Sequence, residues 1–189
     1  MRALTYYVGA TLDGFIADSD GQYGFLPVEP DVMEAMNAQH PETVPVQARG
    51  HFGLTDVANK RFDTVLMGRT TFEPALRAGI TSPYSHLRQC VFSRTLGPVD
   101  PEVEIISSDP VPFVRDLKRQ DGMDIWLCGG GRLAGALLGE IDELIVKRYP
   151  LVIGNGIPLF TGPCDLAAFA PTTSRRFESG VDVTAYTKR

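Results

Sequence analysis

The stretch Ile125-Trp126-Leu127-Cys128-Gly129-Gly130-Gly131-Arg132-Leu133-Ala134-Gly135-Ala136-Leu137-Leu138 decides how the rest of the chain is read. An apolar, strand-like run meets three glycines and then a helix-forming run. Backbone N–H groups at a helix start attract anions, and glycines let a phosphate come close. Gly129-x-Gly131-x-x-Ala134 also fits the dinucleotide fingerprint of doubly wound sheets. That fingerprint normally leads its domain and is followed about 20 residues later by an acid. Here the corresponding region is Leu151–Gly156, LVIGNG, without an acidic residue. A tight turn that binds nothing also fits, so the stretch alone leaves all three readings open.

Working outward, the same junction recurs. Val65-Leu66-Met67-Gly68-Arg69-Thr70-Thr71 is a second strand–glycine–helix passage, and Cys90-Val91-Phe92-Ser93-Arg94-Thr95 is a third strand end. In open α/β sheets ligands gather at the carboxyl ends of strands. Arg69, Arg94 and Arg132 are therefore expected to converge on a ligand with several phosphates, because the guanidinium fork matches phosphate bidentately.

The remaining pattern supplies the sheet. Residues 3–9 are β-rich, 12–14 form a turn, 15–17 resume an extended path and 18–30 read as an exposed loop. A helix is expected from about Asp31, with Asp31 as its cap. Residues 40–53 look irregular, and 54–61 are expected to form a short helix. Strands are expected at 64–68, 89–93, 104–107 and 124–128, with helices after Gly68, over 111–119 and after Gly131. Residues 143–154 read as extended, and the chain ends in two strands turning at Ser179-Gly180. Strands alternating with helices imply an α/β fold with a mostly parallel central sheet, closed by a C-terminal antiparallel hairpin. No linker divides the chain, so a single domain over 1–189 is expected.

Composition agrees. The 189 residues are 43% hydrophobic and 22% charged, with a net charge of −5, which argues against a nucleic-acid surface. No apolar run reaches the length of a membrane span, and the N-terminus lacks a signal-peptide pattern, so a cytoplasmic protein is expected. Cys90, Cys128 and Cys164 are three widely spaced cysteines, which speaks against a disulfide framework or a zinc site; no metal is expected.

In order, VGATLDGFIA, VLMGRTTFE, VFSRT, IWLCGGGRLAGALL and DELIVKRYPLVIGNGIPLF resemble the dihydrofolate reductase-like superfamily, from Tyr6 to the C-terminus apart from an insert-like stretch at about 38–60. LDGFIA and the segment Pro150 to Phe160 resemble the riboflavin-biosynthesis reductase branch (the RibD C-terminal domain) more than true dihydrofolate reductases. The resemblance implies NADPH. It places Gly68, Arg69, Thr70 and Thr71 at the pyrophosphate and adenosine side, and Ser93 and Arg94 at the 2′-phosphate. Gly129, Gly130, Gly131, Arg132 and Leu133 would wrap the pyrophosphate and nicotinamide side, with a cis peptide between Gly129 and Gly130. Gly9, Ala10, Ile16 and Ala17 match positions flanking the nicotinamide.

The cofactor supplies the hydride, and the protein must orient an acceptor and admit a proton. Glu29 and Asp31 lie where the superfamily places its acid; Asp31 equally serves as a helix cap, and Glu29 as an exposed loop residue. Asp13 fits a turn role. Tyr149 can border the substrate or pack in the core, Phe25 can cover a planar substrate or anchor its loop, and the loop carrying Gly154 and Gly156 can approach the substrate. His40, His51 and His86 are assigned to the surface. The expected activity is NADPH-dependent reduction of a small planar heterocycle, pterin-like or a ribosylamino-pyrimidine, by a homodimer. The alternatives are a true dihydrofolate reductase active on folate, a non-catalytic NADPH-binding module, and a structural protein that has lost the cofactor.

Overall fold

The computed structural model describes residues 1–163 and 165–189; Cys164 lies outside the described residues. The strands are β1 (Leu4–Thr11), β2 (Phe15–Ala17), β3 (Phe62–Gly68), β4 (Arg88–Phe92), β5 (Val103–Ile106), β6 (Asp124–Gly129), β7 (Glu143–Tyr149), β8 (Ile157–Pro158), β9 (Phe169–Arg176) and β10 (Asp182–Lys188). The helices are α1 (Pro30–Gln39), α2 (Val46–Arg49), α3 (Arg69–Arg77), α4 (Pro110–Arg119) and α5 (Gly131–Ala136).

Eight strands form one sheet in the order β5-β4-β3-β6-β1-β7-β10-β9. The first six run parallel, and β10 pairs antiparallel with both β7 and β9. The near-continuous apolar runs of β3 and β6 follow from burial on both faces. One face packs Tyr7, Val65, Trp126 and Ile145 against Val32 and Met36 of α1. The other packs Leu4, Tyr6, Leu66 and Leu127 against Val114 and Leu117 of α4 and Ala134 and Leu137 near α5. All six parallel strands therefore deliver their carboxyl ends to one rim.

Local chemistry explains the helix starts. Asp109 caps α4 by accepting the Val111 N–H at 2.9 Å, Pro110 opens the first turn, and Lys118 and Arg119 complement the dipole in the last. At α1 the expectation is corrected: Glu29, not Asp31, is the N-cap, and it makes no side-chain cap bond. Pro30 at the first helical position fixes φ and has no N–H to satisfy, so the helix begins one residue before Asp31. Asp31 instead accepts the Ser179 N–H at 3.1 Å and ties α1 to the C-terminal hairpin. Asp13 joins the β1–β2 turn to the chain beyond β7, accepting from Thr11 Oγ1 at 2.6 Å and from the Gly154 N–H at 2.7 Å. Those bonds, that from Thr11 foremost, hold its exposed carboxyl below the usual aspartate range.

Residues 54–61 form no helix; the short helical pieces are a 3-10 turn at Pro41–Thr43 and α2. The cause is side-chain anchoring rather than propensity. The fully buried Glu42 carboxylate accepts from the N–H groups of Lys60 (3.2 Å), Arg61 (2.9 Å) and Phe62 (2.8 Å). Arg49 donates to the carbonyls of Pro41 (2.8 Å) and Val57 (2.6 Å). These bonds dock the stretch 38–60 on the start of β3.

The surface assignment also fails for two histidines. His40 is buried between the rings of Tyr7 and Phe62, each 5.5 Å away, and half-buried His86 meets the Glu42 carbonyl at 2.8 Å; His51 is exposed. Burial lowers the His40 pKa to about 4, against the opposing field of Glu42. The imidazole is thus neutral in the fold at pH 7. As pH falls through about 6.5 the unfolded chain gains a proton that the fold refuses until about pH 4. Stability is therefore lost across that window, by at most about 3 kcal/mol. Urea melts at pH 7 and pH 5 are expected to show this loss, and His40→Gln to flatten it; an unchanged slope in the variant removes His40 as the cause.

Candidate functional site

A cleft of about 1410 Å³ opens along the carboxyl rim of the parallel strands. One wall consists of successive strand ends: Gly68 to Thr71 after β3, Ser93 and Arg94 after β4, Ser107 to Pro110 after β5, and Gly129 to Leu133 after β6. The other is aromatic, with Tyr7, Trp126, Tyr84 and Tyr149 beside Cys128 and Lys147, overhung by the 21–28 loop and Met33 of α1.

The two glycine junctions touch. A Cβ on Gly68 would lie 3.6 Å from the Gly130 nitrogen, and one on Gly130 would lie 3.3 Å from Thr71 Oγ1. The Gly129–Gly130 peptide is cis, and Gly129 has φ +143°, a region that L side chains rarely adopt. A Cβ on Gly131 would run into the Pro158 carbonyl oxygen. The Thr161 N–H donates to the Gly131 carbonyl at 2.9 Å, while the buried Thr161 hydroxyl has no partner among the described residues. The turn is thus clamped between α3 and the 158–161 segment, with a hydroxyl left over at the cleft wall.

Among the three arginines, Arg69 is engaged by Glu73 at 2.6 Å and by the Thr95 hydroxyl. Arg94 and Arg132 are exposed and have no ion pair or hydrogen bond among the described residues. Ser93 Oγ accepts the Thr95 and Leu96 N–H groups at 3.3 and 3.0 Å, which shapes the turn that presents Arg94.

The cleft brings together Gly9, Ile16, Ala17, Gly68, Arg69, Thr70, Thr71, Ser93, Arg94, Gly129, Gly130, Gly131, Arg132, Leu133 and Tyr149. Ala10, Phe25, Glu29, Asp31 and Gly154 are not among its lining residues. Ala10 is buried on the opposite side of β1 from Gly9, by strand alternation. Phe25 sits between Gly24 and Leu26, which do line the cleft, as Gly156 does in place of Gly154. Glu29 lies near Tyr149, whose phenol is raised above its ordinary pKa by burial and then by the Glu29 charge.

Sequence reasoning missed Ser107 and Ser108, although they follow a parallel strand as Ser93 does. It also missed the group at the aromatic wall. Tyr84 and Trp126 meet edge to face at 5.1 Å, and the Trp126 Nε1–H donates to the Tyr7 carbonyl at 3.3 Å. Burial raises the Cys128 thiol to about 12, beside the Tyr84 hydroxyl, and lowers the Lys147 ammonium to about 8. The signal for Lys147 was its place as the first charge to interrupt the run Leu144-Ile145-Val146. The described residues contain no cluster of three or more His, Cys, Asp or Glu able to hold a metal, and no helix long and apolar enough to cross a membrane.

Residues 2–183 match the RibD C-terminal domain. The uncharacterized protein YwjB of Bacillus subtilis (strain 168) is 30% identical over 162 residues, covering 84% of this chain and 83% of that protein. A protein of Shewanella sp. PV-4 assigned to riboflavin biosynthesis superposes with a TM-score of 0.74 at 24% identity, over 99% of each chain. Dihydrofolate reductase from Enterococcus faecalis, complexed with NADP(H), superposes with a TM-score of 0.63 at 14% identity, over 99% of this chain and 96% of that one.

Proposed function

The chain belongs to the RibD C-terminal domain family, and from that premise we propose that it is an NADPH-dependent reductase of a small planar heterocycle, pterin-like or a ribosylamino-pyrimidine. One observation carries the reading: the ends of β3, β4 and β6 share one wall of a single cleft, and Arg94 and Arg132 stand on it without counter-ions among the described residues. The fold neighbour from Enterococcus faecalis, which holds NADP(H), supports the choice of cofactor.

The donor set fits the cofactor. Gly129 to Gly131 bring backbone within reach of a pyrophosphate, and the Thr161 hydroxyl beside them, without a partner among the described residues, can donate to it. Arg94, with Ser93, would hold the 2′-phosphate, and Gly9, Ile16 and Ala17 would flank the nicotinamide. When bound, the cofactor supplies a hydride from its nicotinamide ring. The chain's own part is to orient the acceptor against the aromatic wall and exclude water under the 21–28 loop, with Tyr149 at its border. Glu29 and Asp31 are not among the residues lining the cleft; dihydrofolate turnover abolished by Glu29→Ala or by Asp31→Ala would favour a true dihydrofolate reductase instead. Family likeness also supports a homodimer, which sedimentation equilibrium tests.

Arg94→Ala tests the cofactor. NADPH affinity is expected to fall roughly 30-fold and NADH affinity to stay within about threefold, as for loss of one charged hydrogen-bonded pair. Equal losses for both dinucleotides, read by calorimetry, sink the 2′-phosphate assignment.

A further inference from the structure

Among the described residues, Lys147 is the one charged group lining the aromatic wall. β7 runs beside β1 with Lys147 opposite Gly9, and beside β10 with Lys147 opposite Val183. Its ammonium lies 4.6 Å from the centre of the Tyr7 ring. Among the described residues it has no carboxylate within ion-pair distance and no hydrogen-bond acceptor. A ring face offsets only part of an ammonium's lost hydration. The rest of the cost is uncompensated for a half-buried, unpaired charge. The neighbouring Arg148 is different: it points outward and pairs with Asp182 at 3.0 Å.

An uncompensated cation on the wall of an open cleft is complementary to an incoming anion. It faces a slot bounded by flat groups, Tyr7, Tyr84 and Trp126, so the anion it suits is planar. We infer that Lys147 is a specificity residue that selects a planar heterocyclic acceptor carrying an ionised or strongly polarised ring oxygen. Such an oxygen is an enolate, an acidic imide or a vinylogous acid. This rests on the reductase reading for its meaning as an acceptor site, but the anion subsite stands on the wall itself.

The surroundings isolate the effect of pH. Tyr7 on β1, Tyr84, and Tyr149 on the same strand all have phenols raised above their ordinary pKa by burial. Cys128 on β6 titrates at about 12, and His40 behind Tyr7 at about 4. The Glu42 carboxylate is committed to three backbone N–H groups, and Glu29 lies beyond Tyr149. None of the tyrosines, Cys128 or His40 changes charge as pH passes through about 8, where Lys147 does.

Trp126 is the only tryptophan and lines the slot, so its fluorescence reports occupancy without turnover. The probes are barbiturate, a planar heterocyclic enolate, and uracil, its neutral counterpart of nearly the same shape. Each is titrated into the full chain with and without NADP⁺. At pH 7 barbiturate is expected to bind roughly 30-fold more tightly than uracil, the scale of one desolvated charge pair. Lys147→Met, which keeps the stem and its packing, is expected to remove that preference and leave uracil within about twofold. In the wild type, barbiturate affinity is expected to fall about tenfold per pH unit above about 8, and this needs no variant to fold. Three results overturn the inference: equal affinity for the two probes, a preference that survives Lys147→Met, or a preference lost in Arg94→Ala instead, which would put the anion on the phosphate wall. If NADPH fails to bind while the barbiturate preference persists and depends on Lys147, the reductase reading fails and the anion subsite remains. If NADPH binds and the preference is absent, the reverse holds.

Discussion

Glu42→Ala is expected to lower unfolding stability by about 3–5 kcal/mol, a large part of what a domain of this size possesses. The carboxylate is completely buried and receives three consecutive backbone N–H groups at the entry to β3, from Lys60, Arg61 and Phe62. Truncation leaves the buried Phe62 N–H without a partner, at about 1–3 kcal/mol, strips the part-buried Lys60 and Arg61 N–H groups of theirs at a smaller cost each, and opens a cavity where the carboxylate was. The three costs share one acceptor, so they do not add in full. Glu42→Gln keeps one carbonyl oxygen but turns an N–H toward an N–H, and about half the loss is expected. Glu34→Ala, at an exposed position on α1, serves as the control and is expected to change stability by less than about 0.5 kcal/mol. The measurement is the urea midpoint at constant m-value. A shift of less than about 1 kcal/mol for Glu42→Ala would mean that the stretch 38–60 is held by packing and not by this carboxylate.

That stretch also marks where the sequence stops being legible. The strand ends could be read because each is a short-range event. An apolar run stops at Gly68, Ser93 or Gly129, and a polar or glycine turn follows within two residues. The order of those junctions then restricts the topology, since parallel strands present the same end to one rim. The segment 38–60 obeys a different rule. Its shape is set by Glu42 reaching residues about 20 positions away and by Arg49 joining the carbonyls of Pro41 and Val57. No local propensity encodes such bonds, and an assignment from propensity placed a helix at 54–61 where there is none. β8 escaped for the same reason: its two residues become a strand only because β2, some 140 positions earlier, pairs with them. The acceptor side was the least legible. Alternation along Leu144–Tyr149 shows that Lys147 shares a face with Ile145 and Tyr149, but only the register against Gly9 shows that this face borders the cleft. Asp31 reads as a cap and is not one, because Pro30 moves the helix start and the Ser179 N–H meets its carboxylate.

The second large effect concerns the turn itself. Gly131→Ala is expected to weaken NADPH binding by more than about 100-fold, and Gly130→Ala by much less. The difference follows from what each new methyl would meet. At Gly131 it would overlap the Pro158 carbonyl oxygen and come within 3.0 Å of Thr161 Oγ1. The first of these is backbone, held in β8 against Phe15 and Ala17 of β2, and it cannot rotate away. Relief requires the 157–161 segment to withdraw. That would break the Thr161 N–H to Gly131 carbonyl bond and move β2, which carries Ile16 and Ala17, off the proposed nicotinamide site. At Gly130 the nearest neighbours would be Thr71 Oγ1 at 3.3 Å and Ile16 Cδ1 at 3.9 Å, both ends of side chains that can adjust by a few tenths of an ångström. A displacement of about 1 Å in a positioning element is enough for losses of this size. Calorimetric titration of NADPH into both variants, alongside their melting temperatures, separates loss of the site from loss of the fold. A folded Gly131→Ala protein that binds NADPH within about tenfold of the wild type would show that the β6–α5 turn does not hold the cofactor. The strand-end wall would then need another ligand.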